Sequence, residues 1–306
     1  MARTFLRTLV YNGRGSVGPW YRQRKSRFQR WGISSSPGIR DGGREEMSVD
    51  CMNVKPGIEV ASLSDVGCQR ENNEDSYLYW EPLTEAEFQR KGRLAIIADG
   101  MGGYEGGLEA SRLAVETIRE VYDHVVRDNP QAALLEAFVT AHQRIQNHAL
   151  RHPELHGMGT TCTAVVIRGR QLYFAHVGDS RLYLIRNANI SRLTRDHSYV
   201  GRLVESGIVR AEDAEKHPQR HILTAALGAG TEVAVDGAEQ GLALQDGDDL
   251  LLCTDGLWGV VTEEELADAA GSNAPAECCE ALVKLALQRG GPDNITVQML
   301  RVLPEM

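Results

Sequence analysis

The sequence predicts a mixed fold in which layers of β-sheet are covered by helices. From about residue 56, short apolar runs rich in Val, Ile, Leu and Tyr end in Gly, Asp or Asn, as strands do. Long stretches with apolar residues at helical spacing interrupt these runs. The chain has 306 residues, enough for one large domain or two small ones, and it shows no internal repeat. We therefore expect one folded domain.

Eight segments are the candidate strands, because each is short, apolar and bounded by turn residues. In chain order they are 58–63, 75–80, 93–98, 160–168, 171–177, 181–186, 249–254 and 294–302.

Three segments are the candidate helices: 106–127, 131–151 and 275–289. In the first, Leu113, Ile118 and other apolar residues lie near one face. Such a face is typical of a helix that packs against a sheet.

Residues 196–220 have mixed charge and little apolar periodicity. We predict a surface excursion between two strands and call it the flap. Irregular excursions of this length often carry function, so substrate selection is expected here.

Composition excludes several classes. With 42% hydrophobic and 25% charged residues, the chain is an ordinary globular protein. No apolar run approaches the roughly 20 residues that cross a bilayer, so we expect no membrane association. The net charge of −9 argues against nucleic acid as a partner. The six cysteines include no CxxC pair, and we interpret them as reduced thiols of a cytoplasmic protein.

The first 46 residues differ from the rest of the chain. They hold ten Lys or Arg against three acids, so they carry +7 while residues 47–306 carry −16 of the net −9. We interpret residues 1–50 as a disordered basic leader or a misassigned start before Met47 or Met52. A targeting peptide and a basic arm that touches an acidic surface are the alternatives. The folded domain is predicted over 56–303.

Acidic residues stand at the ends of four predicted strands. Asp99 follows LAIIA and Asp255 follows LLLCT, whereas Asp293 precedes NITVQML and Glu74-Asp75 precede SYLYW. An Asp-Gly pair alone indicates only a turn. If these strand ends converge, however, several carboxylates share a small volume and repel one another.

A hard divalent cation resolves that repulsion, because Mg²⁺ and Mn²⁺ take oxygen ligands. Two such ions about 3.5–4 Å apart make a hydrolytic site, since they acidify a water and clamp the oxygens of a displacement at phosphorus. Gly102 and Gly103 let backbone approach a ligand. Arg70, four residues before Glu74, is suited to hold a phosphate.

Eight sequence motifs resemble, in order and spacing, the metal-dependent serine/threonine protein phosphatases of the 2C type, especially their bacterial branch. The resemblance covers about residues 57–302. The motifs are SDVGCQRENNEDS (64–76), ADGMGGYEGGLEAS (98–111), GMGTT (157–161), VGDSRLYL (177–184), LTRDHS (193–198), LTAALG (223–228), CTDGLW (253–258) and PDNITV (292–297).

The resemblance implies an α+β fold, a four-layer α-β-β-α sandwich of two antiparallel sheets with a binuclear Mg²⁺/Mn²⁺ centre at one edge. In the family's pattern Asp99 bridges both ions and is catalytic. Gly100 contributes its carbonyl, Asp255 and Asp293 complete the first site, and Glu74 serves the second.

The same pattern makes Asp75 a support for the ligands and Arg70 the residue that binds the substrate phosphate. Bacterial relatives hold a third, weaker ion between Asp255 and the residue that is Asp179 here. A simpler interpretation exists for each. Asp179 also suits a hairpin turn, and Arg70 also suits a surface salt bridge to a neighbouring glutamate. We interpret Thr160-Thr161 as packing residues.

Four histidines fall in or after the second long helix, and we expect them on the surface. They are His142, His148, His152 and His156.

The chain departs from the family's pattern at positions around the expected site. Met101 stands where animal relatives carry a histidine that serves as general acid, so the general acid is not identified, and a metal-bound water is the default proton source. Tyr104 and Leu108 replace a bacterial His and Glu. Ala225 replaces a bacterial Arg, and Gly259 replaces an Asp of animal relatives.

We expect metal-dependent hydrolysis of phosphoserine and phosphothreonine in proteins by metal-bound hydroxide, which opposes a serine/threonine kinase. The cofactors are two Mg²⁺ or Mn²⁺ ions, with a third as in relatives, and the chain is expected to be a monomer. One alternative is a catalytically silent pseudophosphatase that binds a phosphoprotein. Another keeps the chemistry but acts on a small phosphorylated metabolite.

Overall fold

A computed structural model describes residues 5–10, 49–102, 105–125, 128–214, 217–238 and 240–304. The strands are β1 (Phe5–Val10), β2 (Val49–Asn53), β3 (Ile58–Asp65), β4 (Ser76–Trp80), β5 (Arg93–Ala98), β6 (Gly100–Met101), β7 (Gly159–Thr160), β8 (Cys162–Arg168), β9 (Gln171–Val177), β10 (Arg181–Arg186), β11 (Asn189–Arg192), β12 (Asp236–Gly237), β13 (Leu242–Ala243), β14 (Asp249–Cys253) and β15 (Ile295–Val302). The helices are α1 (Glu85–Lys91), α2 (Gly106–His124), α3 (Pro130–Arg151), α4 (Tyr199–Glu205), α5 (Ala211–Ala214), α6 (Asp255–Trp258), α7 (Glu263–Ser272) and α8 (Pro275–Gln288), with a 3₁₀ turn at Pro153–Leu155.

The strands form two large sheets. One has the order β11-β10-β14-β15-β3-β1-β2. The other has the order β12-β9-β8-β5-β4, with β13 also paired to β9, while β6 and β7 form a separate two-stranded ribbon. Among the described strands, β1 runs parallel to β3 and every other pair is antiparallel.

Successive side chains of each strand point to opposite faces of its sheet, and this alternation builds three apolar layers. In β14, Leu250 and Leu252 point into the core between the two sheets, whereas Leu251 and Cys253 point toward α7 and α8. In β5, Ile97 belongs to the core between the sheets, and its neighbours on either side face α2 and α3. Helices therefore cover the outer face of each sheet, which confirms the predicted four-layer sandwich.

Local sequence accounts for where the covering helices begin. The Asn129 side chain accepts the backbone N–H groups of Gln131 and Ala132 at the start of α3, and Pro130 occupies its first turn. At α7, Thr262 and Glu265 form a capping box.

The eight predicted strands all form within a residue or two of their predicted bounds. The segment 160–168 divides into β7 and β8, because the backbone of Thr161 bonds to Asp99 instead of continuing a ladder. The predicted helix 106–127 ends at His124, and residues 126–127 lie outside the described part of the chain.

The flap differs from the prediction of an irregular excursion, because it contains α4 and α5. The Ser198 side chain caps α4 by accepting the N–H of Gly201. Both helices are too short to show a helical period in the sequence.

Two segments of the predicted disordered leader are strands here. Residues 5–10 pair with β3, and residues 49–53 pair with residues 5–10, so the edge of the seven-stranded sheet is extended. Both segments contain apolar and β-branched residues that suit a strand. The rest of the leader, 1–4 and 11–48, lies outside the described residues, so the domain limits 56–303 stay a prediction.

Across the described ranges, no helix is long and apolar enough to span a membrane.

Replacing Leu250 by Ala tests the core between the sheets. Leu250 is fully buried, so the substitution removes apolar contacts and leaves a cavity. We expect the free energy of unfolding to fall by about 2–5 kcal/mol in urea denaturation. The matched control is Leu150→Ala on α3, where the side chain is 81% exposed and a change within about 0.5 kcal/mol is expected. Equal effects at the two positions would contradict the layered core.

Candidate active site and metal centre

A cleft of about 490 Å³ lies where the predicted acidic strand ends meet. Asp99 follows β5, Asp179 follows β9, Asp255 follows β14, and Asp293 precedes β15. The structure therefore brings together the predicted residues, and those that line the cleft are Arg70, Glu74, Asp99, Gly100, Asp179, Asp255 and Asp293. Asp75 lies behind this lining.

The backbone of Asp99 is held by two threonines. Its N–H donates to the Thr161 hydroxyl at 3.0 Å, and its carbonyl accepts from the Thr160 hydroxyl at 2.8 Å and from the Thr161 N–H at 2.9 Å. The Thr161 hydroxyl also lies 2.7 Å from that of Ser180. The two threonines, predicted as packing residues, thus position the central carboxylate.

Asn294 organises the loop that carries Arg70 and Glu74. Its side-chain oxygen accepts the N–H of Glu74 at 2.8 Å, and its side-chain nitrogen donates to the carbonyls of Val66 and Asn72, both at 2.9 Å. The pattern of acids at strand ends does not single out Asn294. Its place directly after Asp293 in the PDNITV motif is the signal that points to it.

A glycine makes room for the Glu74 carboxylate. A Cβ at Gly107 would lie 2.0 Å from Glu74 Oε2, and a Cβ at Gly100 would lie 2.2 Å from the Gly107 carbonyl. Gly107 stands in the first turn of α2, so the carboxylate lies at a helix N-terminus, where the helix dipole favours negative charge.

Asp75 is buried behind the cleft. Its Oδ2 accepts from the hydroxyls of Thr254 at 3.0 Å and Thr296 at 2.6 Å, while its Oδ1 is buried with no hydrogen-bond partner. Burial raises its pKa from 3.8 to about 7, and the nearby Asp255 and Asp293 add to the rise. These bonds fit the predicted role of a residue that supports the ligands.

Negative charge is concentrated among the carboxylates of the cleft. Burial raises the pKa of Asp99 well above its ordinary value, and Asp75, Asp255, Asp179 and Asp293 raise it further. Burial is likewise the main cause of the raised pKa of Asp179, with Asp255 next.

Two further acids show the same pattern. Burial raises the pKa of Glu74 and of Asp293, although Arg70 opposes both shifts. The Oδ1 atom of Asp255 is buried without a hydrogen-bond partner. Buried carboxylates with free oxygens are the donors that Mg²⁺ and Mn²⁺ prefer, so the residues present fit the predicted ions.

Within the described ranges, no three His, Cys, Asp or Glu side chains are grouped as a complete set of metal ligands. Mg²⁺ usually keeps several waters and binds through one or two carboxylates, so two acids and the Gly100 carbonyl are a sufficient protein contribution at one ion.

Arg70 bonds across the cleft and not along its own loop. Its Nη2 donates to Asp293 Oδ2 at 2.7 Å, and its side chain is 53% exposed. The simpler interpretation, a surface salt bridge to Glu71 or Glu74, names the wrong partner, because the salt bridge is to Asp293. An exposed guanidinium at the mouth of an acidic cleft is placed to meet a phosphate.

Asp179 occupies the turn between β9 and β10 and also lines the cleft. A turn residue and a candidate metal ligand are therefore not alternatives at this position. The Trp258 indole N–H donates to the Asp179 carbonyl at 2.9 Å. The Cζ atom of Arg181 lies 3.6 Å from the centre of the Trp258 ring, and its guanidinium donates two hydrogen bonds to Asp196. The turn is therefore held from below by a cation–π contact and an ion pair.

Two residues after the flap enter the cleft without having been predicted there. His221 and Leu223 both line it, and His221 Nδ1 lies 3.7 Å from Asp255 Oδ2. The expectation that four histidines lie on the surface is wrong for His142, which is buried and accepts the Gly228 N–H at 3.1 Å.

The described positions that depart from the family's pattern lie in different places. Met101 lines it, Leu108 is exposed on α2, and Ala225 packs against the core under α2 and α3. Gly259 follows α6, where a Cβ would lie 2.7 Å from the Asp255 carbonyl. Tyr104 lies outside the described residues.

Comparison with known proteins gives a consistent result. Residues 69–275 match the family model described as protein phosphatase 2C. The chain is 37% identical over 254 residues to serine/threonine protein phosphatase PstP of Mycobacterium tuberculosis, which covers 80% of this chain and 45% of that protein. It is 36% identical over 265 residues to protein phosphatase PhpP of Streptococcus pneumoniae, which covers 81% of this chain and 99% of that protein. The chain thus spans about half the length of PstP and nearly all of PhpP.

The fold is likewise similar to a solved structure. The catalytic domain of PstP in complex with two manganese ions superposes with a TM-score of 0.68 at 33% identity, covering 81% of this chain and 99% of that one.

The raised pKa of Asp75 predicts how stability depends on pH. A carboxyl whose folded-state pKa of about 7 exceeds its ordinary 3.8 favours folding while protonated, and this contribution is lost as pH rises from about 4 to 7. The free energy of unfolding changes by about 1.4 kcal/mol for each pH unit in this window. Between pH 5 and 7.5 it should therefore fall by about 2–3 kcal/mol more in wild type than in Asp75→Asn.

The measurement is urea denaturation in the presence of chelator at both pH values. Comparison with Asp75→Asn removes the opposite contribution of the buried His176, whose pKa burial lowers to about 4. Added Mn²⁺ should stabilise wild type more at pH 7.5 than at pH 5, because protons and cations compete for the carboxylates. A pH dependence identical in the two proteins would show that Asp75 is ionised in the folded protein.

Proposed function

The chain belongs to the protein phosphatase 2C family, and from this premise we propose that it hydrolyses phosphoserine and phosphothreonine in proteins with the help of Mg²⁺ or Mn²⁺. One observation carries the proposal: the acids of one cleft are buried side by side, with free carboxylate oxygens and raised pKa values. Such a concentration of negative charge suits divalent cations, and a cation-filled cleft with an arginine at its mouth suits a phosphate.

The residues that would hold the two ions are Asp99, Asp255, Asp293 and Glu74, together with the Gly100 carbonyl. Asp179, opposite Asp255, would hold a third. When bound, such ions lower the pKa of a coordinated water and offset the charge of a phosphate.

The chain's own residues perform the positioning. Thr160 and Thr161 hold the backbone of Asp99, and Asn294 holds the loop of Glu74 and Arg70. Arg70 would leave Asp293 and donate to the substrate phosphate, which is a stronger partner for a guanidinium because it carries more negative charge. Little movement is needed, since Arg70 already lies at the mouth of the cleft.

Protein substrates are favoured over small metabolites because the cleft lies open beside the flap. Tyr199, Ile208 and Ile222, which lie in the flap or just after it, have exposed side chains, and exposed apolar side chains suit contact with a polypeptide. We further propose that the protein opposes a serine/threonine kinase and acts as a cytoplasmic monomer. The relatives compared are phosphatases by name, so they give no support to a silent binding protein.

The first test is phosphate release from a phosphothreonine peptide by the full chain. We expect turnover with Mn²⁺ or Mg²⁺ and none with chelator. Asp99→Asn should lower kcat by at least about 100-fold, because it removes the central carboxylate. The matched control is Asp246→Asn, an exposed aspartate away from the cleft, which should retain wild-type turnover.

Metal-independent turnover, or turnover by Asp99→Asn equal to that of its control, would contradict the proposed function. Release from free phosphoserine at the rate of the peptide would instead indicate a small-metabolite phosphatase.

Replacing Arg70 by Met tests its role in binding phosphate. We expect kcat/KM for the peptide to fall by about 10–100-fold, because a charge-assisted pair to the phosphate is worth roughly 1.5–3 kcal/mol. Arg144→Met is the control, since Arg144 is similarly exposed and forms one ion pair at 2.6 Å with Glu120 on the helical layer. Steady-state kinetics that do not separate the two variants would exclude a phosphate contact for Arg70.

A further inference from the structure

Both ends of the flap meet at His197. The backbone N–H of His197 donates to the carbonyl of Gly178 at 2.7 Å, and its carbonyl accepts the N–H of Thr224 at 2.8 Å. A further bond joins the two chain segments at the base of the flap: the N–H of Tyr199 donates to the carbonyl of Ile222 at 2.7 Å. His197 therefore lies between the turn that carries Asp179 and the segment that brings His221 and Leu223 into the cleft.

The His197 side chain adds two contacts to these backbone bonds. Its Nδ1 accepts the N–H of Gly178 at 3.3 Å, and its Nε2 lies 3.4 Å from Asp236 Oδ2. An Nδ1 that accepts a bond carries no proton, so these contacts define a neutral ring with its hydrogen on Nε2. The side chain is only 15% exposed, and the geometry thus selects one tautomer in a sheltered place.

A second histidine, His176, packs against the ring of His197. His176 is fully buried, its ring centre lies 5.0 Å from that of His197, and its Nε2 donates to the Arg195 carbonyl at 3.0 Å. Its Nδ1 lies 2.8 Å from the Thr163 hydroxyl on β8. The ring of His197 is therefore packed on a rigid, hydrogen-bonded neighbour.

Gly178 connects His197 to the site. It directly precedes Asp179 and has φ of +109°, a conformation that glycine adopts readily. A Cβ at Gly178 would lie 2.5 Å from the side chain of Thr161, the residue whose hydroxyl accepts the Asp99 N–H. Movement of Gly178 would thus displace Asp179 directly and press on the threonine that holds Asp99.

We propose that His197 is a positioning residue for phosphate hydrolysis, whose neutral imidazole fixes the Gly178–Asp179 turn against the base of the flap. The proposal rests on the proposed function for its kinetic consequence, whereas its structural consequence holds without turnover. His197 is not among the described residues that line the cleft. Its effect is expected in kcat more than in KM.

Three substitutions separate the contacts of the ring. In His197→Asn the side-chain oxygen can take the place of Nδ1 and accept the Gly178 N–H, whereas in His197→Gln the amide reaches the place of Nε2 and Asp236. His197→Ala keeps neither contact. The control is His152→Ala, which removes an exposed histidine directly after the C-terminal end of α3.

Two measurements are made on all four full-length variants. The first is hydrogen–deuterium exchange of peptides that span 176–182, with chelator present. The second is kcat and KM for the phosphothreonine peptide with Mn²⁺. We expect exchange to accelerate in His197→Ala and His197→Gln but not in His197→Asn or the control. We expect kcat to fall about 10–100-fold in the first two, with KM within about threefold, because a small displacement of a catalytic group costs that much.

Rescue by Asn but not by Gln is the result that supports the inference. Equal behaviour of Asn and Gln, unchanged exchange at 176–182 in His197→Ala, or unchanged kcat in His197→Ala beside an active wild type would overturn it. If wild type itself shows no turnover, the proposed function fails, and the exchange data alone then decide whether His197 holds the turn.

Discussion

Mutual repulsion among the carboxylates of one cleft is the constraint on which the rest of this structure depends. Burial and proximity raise the pKa of Asp99, Asp179 and Asp293 together, so each acid makes the ionisation of the next more costly. A fold keeps such a cluster only if the remainder of the domain supplies the stability that the cluster removes. The three apolar layers of the sandwich supply it, and they end where the acids begin.

At Asp99 and Glu74 the fold meets this constraint by bonding to the backbone and not to the carboxylates. Asp99 is held through its N–H and carbonyl, and Glu74 is held through its N–H, so the oxygens of both side chains stay available. Asp75 differs, because two threonine hydroxyls bond one of its oxygens. Asp293 differs as well, because its carboxylate accepts from Arg70 and from the N–H of Asn294.

The parts of this arrangement that follow from local pattern are predictable from the sequence. Strand ends are marked by a change from apolar to acidic residues, so LAIIA before Asp99 and LLLCT before Asp255 locate two walls of the cleft. Asn294 and His221 are harder to predict, because their roles depend on partners far away in the chain. Helices such as α4 and α6 escape prediction for another reason: one or two turns do not show a period. The edge strands β1 and β2 were not predicted, because the basic composition around them favours disorder on average. A six-residue segment that suits a strand does not change that average.

The two walls of the cleft are organised by the same physical device. On one wall a buried amide, Asn294, bonds three backbone groups of the loop that carries Glu74. On the other wall a sheltered imidazole, His197, bonds the backbone of the turn that carries Asp179. Neutral side chains suit this task because they fix the loops without neutralising the acids, whereas a lysine or arginine in either place would compete with a divalent cation for the same carboxylates. Among the described residues that line the cleft, Arg70 is the arginine, and it lies at the exposed mouth, where it can exchange Asp293 for a phosphate.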